Sequence, residues 1–146
     1  MKRLIIAIAL IVAMTGCATT RLSDADRLDL YRAHAGPPVR QFNYFQSLNG
    51  WTPLGDQALA VWTRPSQAYL LELTGPCQDL EYAPAISISN MMGRVSARFD
   101  RVTVHGGVTS MNFSCQIQEI RPLDLKALRL AENELRQVVN ASSTNQ

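Results

Sequence analysis

The first seventeen residues constrain this chain more than any other segment, because they decide where the rest of it folds. Lys2 and Arg3 form a short positive segment, and Leu4 to Met14 is an apolar run of eleven residues. Met14-Thr15-Gly16 then leads through small residues into Cys17. That order is the order of an export signal that is removed. A membrane-spanning helix needs roughly 20 apolar residues, about twice this run. A core helix is the poorer reading, since a charged flank of the Lys2-Arg3 kind belongs to a signal. Cleavage before Cys17 takes residues 1–16 from the 146 and leaves 130, the length of one domain with chain enough to bury a core.

Processing also changes the charge. The formal +2 of the whole chain is carried by Lys2 and Arg3, so the mature chain balances 12 basic against 12 acidic side chains. A neutral chain argues against nucleic acid as a partner, because binding phosphates needs a basic excess. Two cysteines remain after Cys17, namely Cys77 and Cys115. An even pair in an exported chain reads as one disulfide. Closing that loop stabilises the fold by roughly 4 kcal/mol on the chain-entropy model. The alternative is metal or redox chemistry, but neither cysteine has a C-x-x-C partner or a nearby histidine.

Along the chain, residues 17–22 form a tether. Ser23 offers an N-cap with Asp24 and Asp26 behind it, and Gly36-Pro37-Pro38 stops that first helix. Strands follow. Phe42 and Tyr44 alternate, Asn49-Gly50 turns, and Trp51 opens a strand that Pro53 limits to an edge or a start. Ala58 to Thr63 and Tyr69 to Leu73 pair as a hairpin across Arg64-Pro65-Ser66. Ala85 to Ser89 alternates. Val95, Ala97 and Phe99 share one face of the next strand, with Arg94 and Arg98 on the other. Val102 and Val104 need the opposite parity, so Asp100-Arg101 is a turn or a bulge. His105-Gly106-Gly107 reads as a turn, and Met111, Phe113, Cys115 and Ile117 alternate, with Ile120 after them. Asp124 caps a last helix running to about Val139, with Leu125, Leu128, Ala131, Leu135 and Val138 inside and Arg129, Glu132 and Arg136 outside. Residues 23–139 form one globular domain and residues 140–146 a flexible tail. The expected fold is α+β: a mostly antiparallel curled sheet or small barrel of six to eight strands, with a short N-terminal helix and an amphipathic C-terminal helix.

Two resemblances add to this reading. Met14-Thr15-Gly16-Cys17 resembles the bacterial lipobox, although leucine usually stands where Met14 does. The resemblance implies that Cys17 becomes the mature N-terminus, with diacylglycerol on its sulfur and a further acyl chain on its amine. Two or more chains anchor stably, at ~0.8 kcal/mol per buried CH₂. Ala18 rather than aspartate after the cysteine implies the periplasmic face of the outer membrane. The second resemblance is carried by Trp51 to Val61, Tyr69 to Leu73, Gly75 to Leu80, Gly93 to Val102 and Cys115 to Ile120. These segments resemble an uncharacterised family of small proteobacterial lipoproteins, a domain of unknown function, over roughly residues 40–122. The family's motifs mark a fold and imply no activity. Some members hold a further cysteine near the position of Phe99, which this chain lacks.

The residues with chemical potential are few. His34 and His105 have no carboxylate at ligand spacing, so no metal is expected. His105-Gly106-Gly107 is similar to an esterase oxyanion loop, but a G-x-S-x-G elbow is missing. No P-loop, dinucleotide fingerprint or HExxH occurs. Asp79 and Glu81 form a carboxylate pair that suits acid–base work on glycans if their groups lie ~5–9 Å apart, and solvation or ion pairing otherwise. Glu72 reads as an outward strand position. Arg94 and Arg98 are candidate contacts for an anion such as a peptide carboxylate or lipid phosphate. Trp51, beside a turn, is a candidate for exposed stacking, whereas Trp62 reads as core. No catalytic residue, metal or cofactor is assigned. The expectation is a lipid-anchored cell-envelope protein acting as a non-catalytic binding or accessory module, with an envelope protein or the cell wall as partner. The alternatives are an envelope hydrolase using Asp79 and Glu81, and a structural partner in outer-membrane assembly.

Overall fold

The computed structural model describes residues 22–45 and 47–144. The expected signal, Cys17 and all of the expected tether but Leu22 lie outside the described residues. Helix α1 (Asp24–Ala33) begins at a reciprocal cap: Asp26 N–H donates to Ser23 Oγ at 3.1 Å, and Ser23 N–H donates back to Asp26 Oδ2 at 3.3 Å. Eight strands follow: β1 (Gln41–Asn43), β2 (Gly50–Pro53), β3 (Ala58–Arg64), β4 (Gln67–Leu73), β5 (Ala85–Ile88), β6 (Arg94–Ser96), β7 (Arg101–His105) and β8 (Phe113–Pro122). A 3₁₀ turn, Leu80–Tyr82, precedes β5, and α2 (Leu125–Thr144) closes the chain. The fold is α+β, and every strand pairing is antiparallel.

Six strands form one curled sheet in the order β2-β3-β4-β8-β7-β5, and β1 pairs with β6 alone. The large sheet has two ends, β2 and β5, so it is a curled half-barrel and not a closed one. Strand β8 organises it. Its first half holds β7 through Val102–Cys115, and its second half holds β4 through Leu71–Ile120. The flank of β8 that β7 leaves free takes the chain before β1, through a Val39–Ile120 bridge. Ala97 N–H donates to Arg40 C=O at 3.0 Å, which ties β6 to the same place.

Burial on both faces explains the apolar runs at 58–62 of β3 and 68–71 of β4. Leu59, Val61, Leu71 and Leu73 face a core shared with Phe42 and Tyr44, under the β1–β6 layer. Ala58, Ala60 and Leu70 face a second core with Tyr31 of α1 and Leu128 of α2. Strand side chains alternate between faces, so an apolar residue at every position is what a sheet covered on both sides requires. The parity step between Ile117 and Ile120 has a local cause. Glu72 stands opposite Glu119 and Leu73 opposite Ile117, so Gln118 is an extra residue that returns both isoleucines to one core.

Several expected positions move. Phe99 does not share the buried face of Val95: β6 ends at Ser96, and Phe99 is 84% exposed in the turn that follows. Arg98 likewise leaves the strand and takes a left-handed φ of 69°. His105 is the last residue of β7 and not a turn residue. Glu132 lies partly buried instead of outside, because it accepts a hydrogen bond from Tyr31 Oη at 3.2 Å. Val138 is exposed and Val139 half-buried, a one-residue rotation of the expected stripe. Helix α2 continues to Thr144, past Val139, since nothing from Asn140 to Thr144 is a glycine or proline that would stop it.

Candidate functional site

The turn between β6 and β7 is built on Asp100, the one charged side chain buried among the described residues. Its Oδ2 accepts from Ser96 N–H and its Oδ1 from Ser89 Oγ, each at 2.7 Å. Ser89 Oγ in turn accepts from Arg101 N–H at 2.9 Å. A carboxylate with both oxygens occupied this way holds the loop from Ser96 to Asp100 in one shape. Arg98 sits at its apex. Arg98 N–H donates to Ile117 C=O, and Gln116 Nε2 donates to Arg98 C=O, both at 2.6 Å. The backbone of Arg98 is thereby fixed against the bulged part of β8 while its side chain stays exposed.

That turn forms one wall of a groove of about 570 Å³ lined by Arg40, Ala97, Arg98, Phe99, Gln118 and Glu119 among others. Glu119 pairs with Arg121. Among the described residues neither Arg40 nor Arg98 is paired with a carboxylate. The groove therefore presents two unpaired guanidinium groups beside an exposed phenyl ring.

The other candidate contacts stand elsewhere. Arg94 is exposed on β6 opposite Asn43 and does not line the groove. Trp51 is half-buried on β2 against the main core, paired with Val61. Three strand steps separate β2 from β8, about 14 Å at the usual spacing. Trp62 is part of the packing too, on the helix-covered face. The sequence names Arg98 as a candidate contact, though on a strand face with Arg94, and does not name its neighbours: Arg40 precedes β1 by one residue, and only the tertiary bridge at Val39 brings it to Arg98.

Cys77 and Cys115 form a disulfide with Cα atoms 5.7 Å apart, joining the segment after β4 to the start of β8. Cys77 is fully buried. Beside it, Asp79 accepts from Thr109 Oγ1 at 2.7 Å and from Thr109 N–H at 3.0 Å. These bonds, the amide's first, hold its carboxyl below the ordinary aspartate range. Asp79 is thus an ionised loop latch, the opposite of the raised pKa that a general acid needs. Glu81 is exposed two residues further on, within the 3₁₀ turn that Asp79 precedes. Glu72 faces α1, where Arg32 Nε donates to it at 2.7 Å. One pairing escaped sequence reasoning: Ser87 Oγ lies 2.7 Å from His105 Nε2, across β5 and β7. No third group orients that imidazole among the described residues. No cluster of three His, Cys, Asp or Glu fit to hold a metal occurs among them either. No described helix is long and apolar enough to cross a membrane.

Fold and groove together define a small α+β domain, a curled antiparallel sheet with helices on one face and a two-stranded cover on the other. The chain belongs to a family of unknown function, DUF6491, whose model matches residues 1–139. No curated protein and no solved structure matches it.

Proposed function

We propose that this protein is a lipid-anchored binding module of the bacterial cell envelope, held through Cys17 on the periplasmic face of the outer membrane. In this reading it takes an anionic segment of a cell-wall peptide or envelope protein into the groove beside β8. The observation that carries the reading is the pair Arg40 and Arg98, both without a carboxylate partner among the described residues, beside the exposed ring of Phe99. A planar guanidinium matches a carboxylate with two parallel hydrogen bonds, and two of them beside an apolar ring select an anion that carries hydrophobic bulk. The Asp100 turn supports the reading because a site is more selective when its walls are held before the ligand arrives.

The test is sedimentation of the acylated protein with isolated cell-wall sacculi, together with in-cell photocrosslinking from position 98. Arg98→Asn suits the left-handed backbone there, and Arg40→Gln keeps the stem length. A charge-assisted hydrogen bond contributes about 1.5–3 kcal/mol, so each substitution is expected to weaken retention by about tenfold or more. Arg94→Gln should leave it unchanged. Equal retention of all three variants, with no crosslink from position 98, would sink the proposal.

A further inference from the structure

The anchored reading above has an orientation built into it. The start of α1 lies at the turn between β2 and β3, since a Cβ placed on Gly55 would stand 3.7 Å from Asp24 Cβ and 4.0 Å from Glu81 Oε1. Leu22 lines a cavity with Val139 and Asn140, so the far end of α2 is there as well. The Asp79–Thr109 bonds bring in the loop between β7 and β8. Gly107 packs so closely on Asp79 that a Cβ would fall 2.4 Å from its Cβ. The first described residue, the β2–β3 turn, the 3₁₀ turn and the β7–β8 loop therefore share one end of the domain. The opposite end carries the β3–β4 hairpin and the start of α2, where Pro65 and Leu125 line one cavity. The guanidinium of Arg64 lies over the Phe45 ring there, 5.7 Å from its centroid, and Tyr44 N–H donates to Gly93 C=O next to Met92.

Three large apolar side chains stand out at the first end: Tyr82 is 70% exposed, Val108 75% and Met111 62%. They come from two loops that the Asp79–Thr109 bonds tie together. The chain from Cys17 to Ser23 spans six residues, which reach at most about 20 Å when fully extended. An acylated Cys17 thus keeps this end, and not the other, close to a bilayer.

We infer that the end bearing Tyr82, Val108 and Met111 rests on the headgroup layer of the membrane that holds Cys17. The inference rests on the anchored reading. Such side chains gain by entering the boundary between headgroups and acyl chains, and the acyl anchor already supplies most of the affinity. The charge at this end selects the surface. Asp56, Asp79 and Glu81 line one cavity with Tyr82, and Asp24 stands beside Gly55, paired with Arg27. These four carboxylates outnumber the guanidinium groups of Arg27 and Arg136 that line the cavity with Leu22, and α2 carries no charged residue after Arg136. Anionic headgroups repel such a surface, whereas a zwitterionic one with ammonium groups accommodates it. Seated this way, Gln118 stands about 17 Å along β8 from Phe113, at the usual rise per residue. The groove at Arg98 is then open to the space above the membrane.

The test uses the acylated protein in phosphatidylcholine–phosphatidylethanolamine vesicles, with an environment-sensitive label at Val108→Cys or at Met92→Cys, both exposed sites. A nitroxide-bearing lipid serves as quencher, and the intact mass reads acylation at Cys17. The expected result is a blue-shifted, quenched label at position 108, an aqueous label at position 92, and weaker quenching at 108 once phosphatidylglycerol is added. An acylated protein with position 108 in water, or with position 92 quenched instead, overturns the seat and leaves the anchor standing. Quenching that grows with phosphatidylglycerol overturns the zwitterionic surface. An unmodified Cys17 overturns the anchored reading and the seat with it.

Discussion

At the scale of single residues, two aspartates do the shaping. Asp100 is 8% exposed and accepts from both Ser89 and Ser96. Asp100→Ala leaves a backbone N–H without its partner in a buried place, and urea unfolding should show a loss of about 2–3 kcal/mol. The position was legible as a turn because the parity of Val95 and Val102 conflicts. Its partner Ser89 was not, since it stands eleven positions earlier with another strand between them. Asp79 is the second case. Its carboxyl is held low by Thr109, first by the amide and then by the hydroxyl. A depressed pKa means that the contribution is present above the unfolded-state value and is lost as pH falls through the folded one. The Thr109 amide should therefore lose its hydrogen-exchange protection only in acid. In Gly107→Ala it should lose that protection at neutral pH, because the new Cβ displaces Asp79. An unchanged exchange rate in that variant would show that the latch does not order the loop.

Among elements, the contact of α1 with α2 carries a pH signature. Tyr31 has its phenol pushed up to about 12 by burial first and then by the neighbouring carboxylate of Glu132, to which it donates. A raised value stabilises the protein fully below the unfolded pKa near 10, and that contribution fades as pH rises toward 12. Thermal unfolding of the wild type should fall more steeply across that window than that of Tyr31→Phe. The variant itself should be about 1 kcal/mol less stable at neutral pH. The disulfide acts over a longer stretch, closing 38 residues from the end of β4 to β8. Replacing Cys77 and Cys115 together with alanine should cost about 4 kcal/mol, read as a lower urea midpoint. Strand parity foresaw the inward Cys115. The opposite parity of Ile117 and Ile120 marks a shift in that strand, but only the pairing with β4 decides that Gln118 is the extra residue.

For the molecule as a whole, the groove depends on the long strand β8 holding three partners at once. Val39→Pro would remove the N–H that Val39 donates to Ile120 C=O at 2.8 Å and so loosen Arg40 from Arg98. Groove binding should fall in that variant while the helix-covered face and its Tyr31 titration persist. Local chemistry was enough to determine the α+β class, the caps at Ser23 and Asp124, the turn between β3 and β4 and, once Cys17 is set aside as the expected lipid site, the pairing of Cys77 with Cys115. Each of these depends on residues close in sequence or on a count with one solution. Tertiary structure alone decided that the sheet stays open, that Phe99 and Arg98 leave their strand, and that Arg40 stands beside Arg98. Those outcomes turn on which distant backbone groups satisfy one another and on which face each cover buries. Neither is written into the periodicity of any single segment.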